Sequence, residues 1–600
     1  MSLLFAFVTA VILTVLLVPV ALRVARARGF VSQPSDDRWH PHPVPTLGGL
    51  AMLLPLLLVL SGGGLLPDLW PVTLASTLMF CLGMVDDRAP LKPATKLVMQ
   101  VCIAGLLLAL LPQIRLTGDP TVDFVIGLAW IVGITNAVNL LDNIDGLAAG
   151  VAGIAASCFM LVLLVNAGGA TPLAIAMAAF VGVTAGFLLY NFHPASIFMG
   201  DGGSHLLGSF LAGATLVAVP TMQTHLAPVV AIPILLLLIP IFDTAFVTVT
   251  RGFAGRSAFL GGRDHTSHRL VALGMGERQA VLLLYVLTAV GGAVAVGLVS
   301  LPPGLAWGFV GLYVSAIAVL GLYLAHVHVT LGSAVEAQPL PSEVTSRYRA
   351  YEITLDALLI CAAYYLAFVA RFREPEFGQF LPYFTKSLPI VVVVQIGALW
   401  LTGKYRQVWR SLDPSDLLGL CRGALLGVAL SVIAVLYLNR FEGYSRWVFA
   451  FDAVLAPMMI VTARVVLSGI DDYLRLRRNQ GRTALIYGAG RGGALAVREL
   501  LQNTSLGLMP VGFIDDDVRK QRLKIEGLRV RTSLADLAAF MDRRPVSTVI
   551  VCISDLQRDR FEQLCDICAA RNVTVRRMRF ALEDVRRPST GSSIVRFPGA

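Results

Sequence analysis

The chain runs to 600 residues, of which 56% are hydrophobic and 14% charged, against about 25% charged in soluble domains, and its mean hydropathy is +0.73. Those values exclude an ordinary soluble protein and a disordered one, and they place the chain in a bilayer. The net charge of +10, from 48 basic and 38 acidic residues, fits Lys and Arg retained in cytoplasmic loops; no basic surface interleaved with aromatics points to nucleic acid.

The first apolar run, "MSLLFAFVTAVILTVLLVPVALRVARAR", lacks a basic stretch ahead of it and carries Arg23, Arg26 and Arg28 behind it. It reads as a retained span with its N-terminus outside, not as a signal peptide. Runs of about 17 to 25 residues then predict about eleven spans before residue 330. They lie near 3–22, 45–62, 70–85, 97–113, 122–138, 147–166, 170–190, 205–220, 227–249, 281–300 and 304–325. The loops after odd-numbered spans hold Arg38, Arg88, Lys92, Lys96, Arg251, Arg256, Arg263, Arg269 and Arg278, whereas the even loops offer little beyond Arg115. Odd loops are therefore expected on the cytoplasmic side. Every polar cluster falls in an odd loop, so all can meet in one cytoplasmic-face cleft. A transporter would instead place its ionisable groups near the midplane, often in two related halves.

Asp86 and Asp87 stand side by side ahead of Lys96 and Gln100. A helix cap needs one carboxylate, and two repel unless cations offset them, so the pair suggests proton transfer, a metal, or contact with a cation. "NAVNLLDNIDGLAAG" puts Asn136, Asn139, Asp142 and Asp145 between apolar neighbours. Unpartnered carboxylates in hydrocarbon cost several kcal/mol, so a site is expected there, with Asp142 and Asp145 on one face of a helix start; either alone would also suit an N-cap. In "NFHPASIFMGDGGS", glycines around Asp201 let backbone approach a phosphate with its Mg2+. His265 and His268, flanked by Arg263 and Arg269 in "GGRDHTSHRL", suit diphosphate contacts.

In their order, "DD…KLxxQ", "NAxNLLDNIDGLA", "NFxPAxIFMGDxGS" and "HTSHRL" resemble the polyprenyl-phosphate N-acetylhexosamine-1-phosphate transferases over residues 1–330. The resemblance implies transfer of a sugar 1-phosphate from a UDP-N-acetylhexosamine to undecaprenyl phosphate, with Mg2+, or Mn2+ in its place, and release of UMP. It implies that Asp201 holds the metal with Asn139 as helper, and that Asp86 and Asp87 serve the acceptor phosphate as base or positioner. Lys96 would hold anionic phosphate; Asn191, Phe198 and Asp145 match the uridine pocket; His265 and His268 match the histidine motif over the diphosphate. Asn136, Arg263 and Arg269 are expected to bind substrate, and Asp142 to join the catalytic group. The chain departs from the family pattern at Ser267, where a histidine is usual.

After a link at 331–350, four more apolar runs near 352–370, 388–402, 417–438 and 447–468 form a second membrane segment, 351–470. Four spans preserve the side, so the tail with its basic "RLRRNQGR" is expected in the cytoplasm. "TALIYGAGRGGALAVREL" places Gly488, Gly490 and Gly493 between an apolar strand and a helix, and "VGFIDDD" brings Asp515 to a second strand end. That combination suggests a Rossmann-like unit over 481–585, with NAD or a nucleotide-sugar as ligand and a tail at 586–600; the bland alternative is a turn with no ligand. Residues 351–585 resemble the N-terminal portion of membrane-bound polysaccharide-biosynthesis nucleotide-sugar dehydratases and epimerases. Their Tyr-x-x-x-Lys pair cannot follow, because Tyr487 is the last tyrosine. Cys565 and Cys568, one CxxC without a second, read as core thiols.

The expected whole is a polytopic α-helical membrane protein of about 11 + 4 spans with a cytoplasmic α/β domain, in a bacterial inner membrane among its lipids, and a homodimer. The rival is a scaffold that kept the fold and lost the chemistry.

Overall fold

The computed structural model describes residues 1–32, 43–111, 116–219, 226–253, 264–325, 342–372, 376–403, 405, 414–440, 444–478, 482–502, 506–521, 523–553 and 556–578. They form two units, Met1–Ile470 and Asp471–Ala600. The first unit opens with α1 (Leu3–Arg28), a small antiparallel pair β1 (Val31–Ser32) and β2 (Val44–Pro45), α2 (Gly48–Gly62), α3 (Leu66–Arg88) and α4 (Pro93–Leu110). It continues through α5 (Pro120–Leu141), α6 (Leu147–Ala167), α7 (Pro172–Asn191), α8 (Gly200–Ala218), α9 (Leu226–Leu236), α10 (Leu238–Phe253), α11 (Thr266–Ala272), α12 (Glu277–Ser300) and α13 (Pro303–Ala325). The second membrane segment comprises α14 (Ser342–Arg371), α15 (Glu376–Leu401), α16 (Pro414–Asn439) and α17 (Arg446–Arg478).

Hydrocarbon offers no partner to a backbone amide, so a span must satisfy its hydrogen bonds internally. Local chemistry fixes where the helices begin. Pro93, Pro120 and Pro172 open α4, α5 and α7, where a missing N–H costs nothing. Asp119 accepts from the Thr121 and Val122 amides at 2.8 and 3.1 Å to cap α5.

Among the described residues twelve helices are long and apolar enough to cross a membrane. The sequence count was higher for three reasons. The helix α2 has only 15 residues; the α9–α10 pair bends by 76°; and α8 opens on a polar stretch that keeps it out of the spanning set. Almost all of α8 is buried, packed against α2, α3, α5 and α6. It is the central helix of the first unit, and its polar end is where the site forms.

One expectation fails locally. Asp142 and Asp145 do not share the face of a helix start: α5 ends at Leu141, and both acids sit in the turn before α6. Gly146 at φ +76° closes that turn and caps α6, so helical spacing does not apply to the acids.

The second membrane segment holds both an aromatic cluster around Tyr364, with Phe368, Phe384 and Phe449, and a buried ion pair. The Arg464 guanidinium donates to Asp356 at 3.0 Å, and the Tyr405 hydroxyl donates to the same carboxylate at 2.8 Å. Nearby in sequence, Asp452 accepts from the Gln395 amide at 2.7 Å, with both side chains fully buried. Toward the preceding helices, the Tyr365 hydroxyl donates to the Gly304 carbonyl at 3.1 Å, joining α14 to α13.

The second unit holds β3 (Arg482–Tyr487), α18 (Arg491–Gln502), β4 (Leu508–Ile514), β5 (Lys524–Ile525), β6 (Leu528–Thr532), α19 (Leu537–Arg543), β7 (Thr548–Val551), α20 (Arg558–Ala569) and β8 (Thr574–Arg577). The sheet order is β5-β6-β4-β3-β7-β8, parallel except where β5 meets β6. Strand order reverses about β3, the arrangement of a Rossmann-like doubly wound sheet. Cys568 is buried in its core, and burial pushes its thiol up to about 11.

Candidate active site

Three helix ends meet around Asp201. Lys96, in the first turn of α4, donates to Asp86 Oδ2 at 2.8 Å and to Asp201 Oδ2 at 2.5 Å. The other oxygen of Asp86 accepts the Leu91 amide at 2.7 Å, which turns the chain from α3 into α4. Asp87 accepts the backbone amides of Asp201 and Gly202 at 3.0 and 3.3 Å, at the N-terminus of α8. The adjacent acids take different partners, an ammonium for one and a helix N-terminus for the other, which offset their mutual repulsion. Backbone proximity makes this possible: a Cβ on Gly83 would lie 2.4 Å from the Asp201 carbonyl oxygen, so only glycine lets α3 come so close to α8.

From α5, Asn139 donates to Asp201 Oδ1 at 3.1 Å and to Ser204 Oγ at 2.9 Å. One turn earlier, Asn136 donates to Gln100 Oε1 at 2.8 Å and to the Val132 carbonyl at 2.8 Å. Gln100 in turn lies 2.9 Å from His205 Nε2, while His205 Nδ1 lies 2.5 Å from the Asp201 carbonyl. A carbonyl only accepts, so Nδ1 carries the hydrogen and Nε2 accepts from Gln100. The network holds the base of α8 in place, and Asn136 belongs to it rather than to an open pocket.

The turn 142–146 connects this cluster to two others. Asp145 accepts the Ala195 amide at 2.9 Å and lies 3.1 Å from His193 Nδ1, which also meets Glu277 at 3.1 Å. Asn191, 2% exposed, accepts from the Gly146 amide at 3.1 Å and donates to the Ile197 carbonyl at 2.9 Å. Both ends of its amide thus clasp backbone, and Asn191 shapes the 192–198 loop from behind. Phe198 ties that loop to β2 and α2 through its backbone, accepting from Gly48 at 3.0 Å and donating to Pro45 at 2.8 Å. Asn143 accepts from Ser267 Oγ at 2.6 Å, so the serine at the departing motif position anchors α11 to this turn.

The histidine segment is held by α10. His265 Nδ1 lies 2.8 Å from Asp243 Oδ2, and Thr266 donates its amide to Asp243 Oδ1 at 2.7 Å and its hydroxyl to the same oxygen. Arg251 grips Asp264 with two hydrogen bonds, at 2.8 and 2.5 Å. Burial works against the Asp264 charge, but the Arg251 bonds outweigh it and hold the carboxyl below its ordinary range. The His265 and His268 rings stand edge to face with centroids 6.0 Å apart. Arg269 points elsewhere: it donates to the Leu324 carbonyl of α13 at 2.9 Å and stacks on Phe246. Expected as a diphosphate ligand, it is instead a strut. Arg263 lies outside the described residues. Asp243 and His205 escaped the sequence reading, although an aspartate inside the apolar "IPIFDTAF" is itself a signal.

In the second unit the glycine turn follows β3. A Cβ on Gly493 would meet the Gly488 carbonyl oxygen at 2.0 Å, so α18 can follow this turn only with glycine there. Gly490 has open space around it. Asp515 is already engaged, accepting from the Ala489 amide at 2.8 Å, the Asp517 amide at 2.9 Å and Lys520 at 3.1 Å. Tyr487 donates to Asp516 at 2.7 Å, a carboxylate that also pairs with Arg560 at 3.1 Å.

A multi-pass membrane protein with carboxylates, amides and one lysine converging on a buried glycine-rich helix end is a membrane enzyme in outline. The glycosyl transferase family 4 pattern matches residues 69–219, from α3 through α8, and a CoA-binding domain pattern matches 401–578. A probable undecaprenyl-phosphate N-acetylglucosaminyl 1-phosphate transferase of Bacillus subtilis is 32% identical over 293 residues, covering 47% of this chain and 81% of that one. The decaprenyl-phosphate N-acetylglucosaminephosphotransferase of Mycobacterium tuberculosis is 32% identical over 314 residues, covering 46% and 78%. A phospho-N-acetylmuramoyl-pentapeptide-transferase of Limosilactobacillus reuteri is 30% identical over 241 residues, covering 36% and 75%. The chain belongs to glycosyl transferase family 4, the polyprenyl-phosphate sugar-1-phosphate transferases, and carries in addition a C-terminal domain of the CoA-binding, Rossmann-like type.

Proposed function

We propose that this protein transfers N-acetylhexosamine 1-phosphate from a UDP-sugar to undecaprenyl phosphate, releasing UMP, at the cytoplasmic face of a bacterial inner membrane. The product would start a cell-envelope polysaccharide. The observation that carries the reading is Lys96 held between Asp86 and Asp201 at the start of α8, with Asn139 beside them. Two phosphates must approach there, and a cation flanked by repositionable carboxylates is the equipment for that approach.

An oxygen of the lipid phosphate attacks the sugar-bearing phosphorus; a new P–O–P bridge forms, and the bond to the uridine-bearing phosphate breaks, leaving UMP with the electron pair. A phosphate monoester has its second pKa at about 6, so the attacking oxygen is already ionised at neutral pH. Asp86 and Asp87 therefore position rather than deprotonate. Asp87 holds the backbone of α8, and Asp86 shares Lys96, which can swing to an incoming phosphate. The Asp201 and Asp86 carboxylates are hard oxygen donors that suit Mg2+ or Mn2+, and the Asn139 amide, whose Nδ2 donates to Asp201 here, would ligate through its Oδ1. Among the described residues no three His, Cys, Asp or Glu side chains are grouped to hold a metal; substrate phosphates would have to complete the sphere of an ion held here. Asp201 and Asn139 would hold the ion, which when bound neutralises diphosphate charge.

In this reading residues 1–330 carry the chemistry. The 481–585 domain binds a nucleotide, with NAD, a nucleotide-sugar and coenzyme A as the ligands to compare, and serves regulation or homodimer assembly. A phosphate would meet the start of α18, while a ribose would have to displace the Ala489 amide or Lys520 from Asp515. The deciding experiment incubates purified protein with radiolabelled UDP-sugars, undecaprenyl phosphate and Mg2+. Lipid-soluble label supports the reading; none from any UDP-sugar refutes it and favours a scaffold.

A further inference from the structure

Asp243 is a charged residue of α10 that the transfer reading does not use. Its carboxylate is 1% exposed, and its two oxygens divide their work. One faces His265 Nδ1 at 2.8 Å; the other takes the Thr266 amide at 2.7 Å and the Thr266 hydroxyl. A carboxylate oxygen accepts, so His265 turns an Nδ1 hydrogen toward Asp243 and points Nε2 the other way. Eight residues on, about two helical turns, Arg251 holds Asp264. One helix thus grips residues 264 to 266 at two points.

We propose that Asp243 is a positioning residue of the transferase, holding the Nδ1–H of His265 and so orienting its ring for Nε2 to contact the UDP-sugar. The proposal rests on the transfer reading and adds a residue to it. Carboxylates behind histidines do this work in metal sites, where their loss costs about 10- to 100-fold. Among the described residues Asp243 is the acceptor at Nδ1, and His268 meets the ring edge to face.

The test uses the full chain in the UDP-sugar and undecaprenyl phosphate assay. Asp243→Asn keeps the size but offers one acceptor oxygen to donors that had two. We expect kcat to fall about 30-fold with the KM for undecaprenyl phosphate unchanged. In a His265→Ala background the same substitution should cost nothing more. If the two effects multiply, Asp243 acts apart from His265 and the assignment is wrong. A second comparison leaves Asp243 intact and so stands even if Asp243→Asn does not fold. The amide of Gln reaches where Nε2 sits, whereas that of Asn reaches only where Nδ1 sits. His265→Gln should therefore keep at least about tenfold more activity than His265→Asn; equal activity or the reverse order overturns the proposal. A wild-type protein inactive with every UDP-sugar refutes the transfer reading and this assignment together, whereas an active wild type matched by a full-speed Asp243→Asn refutes this assignment alone.

Discussion

Substituting Asp201→Asn separates folding from chemistry at the centre of the site. In the native structure Asp201 shares Lys96 with Asp86 and accepts from Asn139. The variant leaves Lys96 paired with Asp86 at 2.8 Å, so no ammonium is stranded, and the new amide oxygen can still accept one hydrogen bond. Hydrogen bonds to charged groups contribute about 1.5–3 kcal/mol and neutral ones about 1 kcal/mol, so the fold should lose about 1–2 kcal/mol. The chemical loss is larger. An anionic ligand that fixes a divalent ion controls several kcal/mol of charge stabilisation, and about 4 kcal/mol corresponds to a thousandfold in rate. Transfer of label from UDP-N-acetylglucosamine into the butanol phase should therefore fall about a thousandfold, with a thermal midpoint in detergent within a few degrees of wild type. EDTA should silence the wild type, and added Mg2+ should restore it. Full activity of Asp201→Asn at ordinary Mg2+ would refute the reasoning, and so would a loss of activity that merely tracked unfolding.

Asp86→Asn and Asp87→Asn should each slow turnover by about a hundredfold through lost positioning, the first by freeing Lys96 from one anchor and the second by loosening the α8 N-terminus. Unchanged single-turnover rates in both would make the pair structural. Gly493→Ala forces a Cβ to 2.0 Å from the Gly488 carbonyl, which should destabilise the C-terminal domain by about 1–3 kcal/mol while sugar transfer stays intact; limited proteolysis and the transfer assay report the two effects separately.

Much of this arrangement was legible because bilayers make polar residues conspicuous. Asp86, Asp87, Lys96, Asn139 and Asp201 stand out against apolar neighbours, and all of them meet at one helix end. What resisted reading was direction. Asn191 and Arg269 look like ligand-binding groups in sequence, yet one clasps backbone and the other caps the end of α13. Side-chain aim depends on long-range packing, which no local pattern encodes. Asp142 and Asp145 were misplaced because an i, i+3 spacing implies a helical face only where the chain is helical, and Gly146 ends the turn they occupy. The α9–α10 bend escaped too: its prolines, Pro233 and Pro240, lie in a run whose hydropathy reads as one span.

The boundary between chemistry and addition can be argued from the same contacts. Among the described residues, every side chain bonded to Asp201 lies before α9, and the most distant support of the histidine segment is the pair of carbonyls at Leu324 and Ala325 that receive Arg269 at 2.9 and 3.4 Å. A chain ending after residue 335 keeps all of them. It loses α14 from the face of α13, where Tyr365 donates to Gly304 and packs near Gly308; lipid tails are as apolar as the side chains removed, so they can cover that face. The truncated protein should therefore transfer sugar phosphate within about threefold of the full chain, since a threefold change is below 1 kcal/mol of barrier. Cutting before Leu324 instead should release Arg269 and abolish activity. A folded truncation at 335 that binds UDP-sugar yet makes no lipid-linked product would show that the second membrane segment belongs to the catalytic machine.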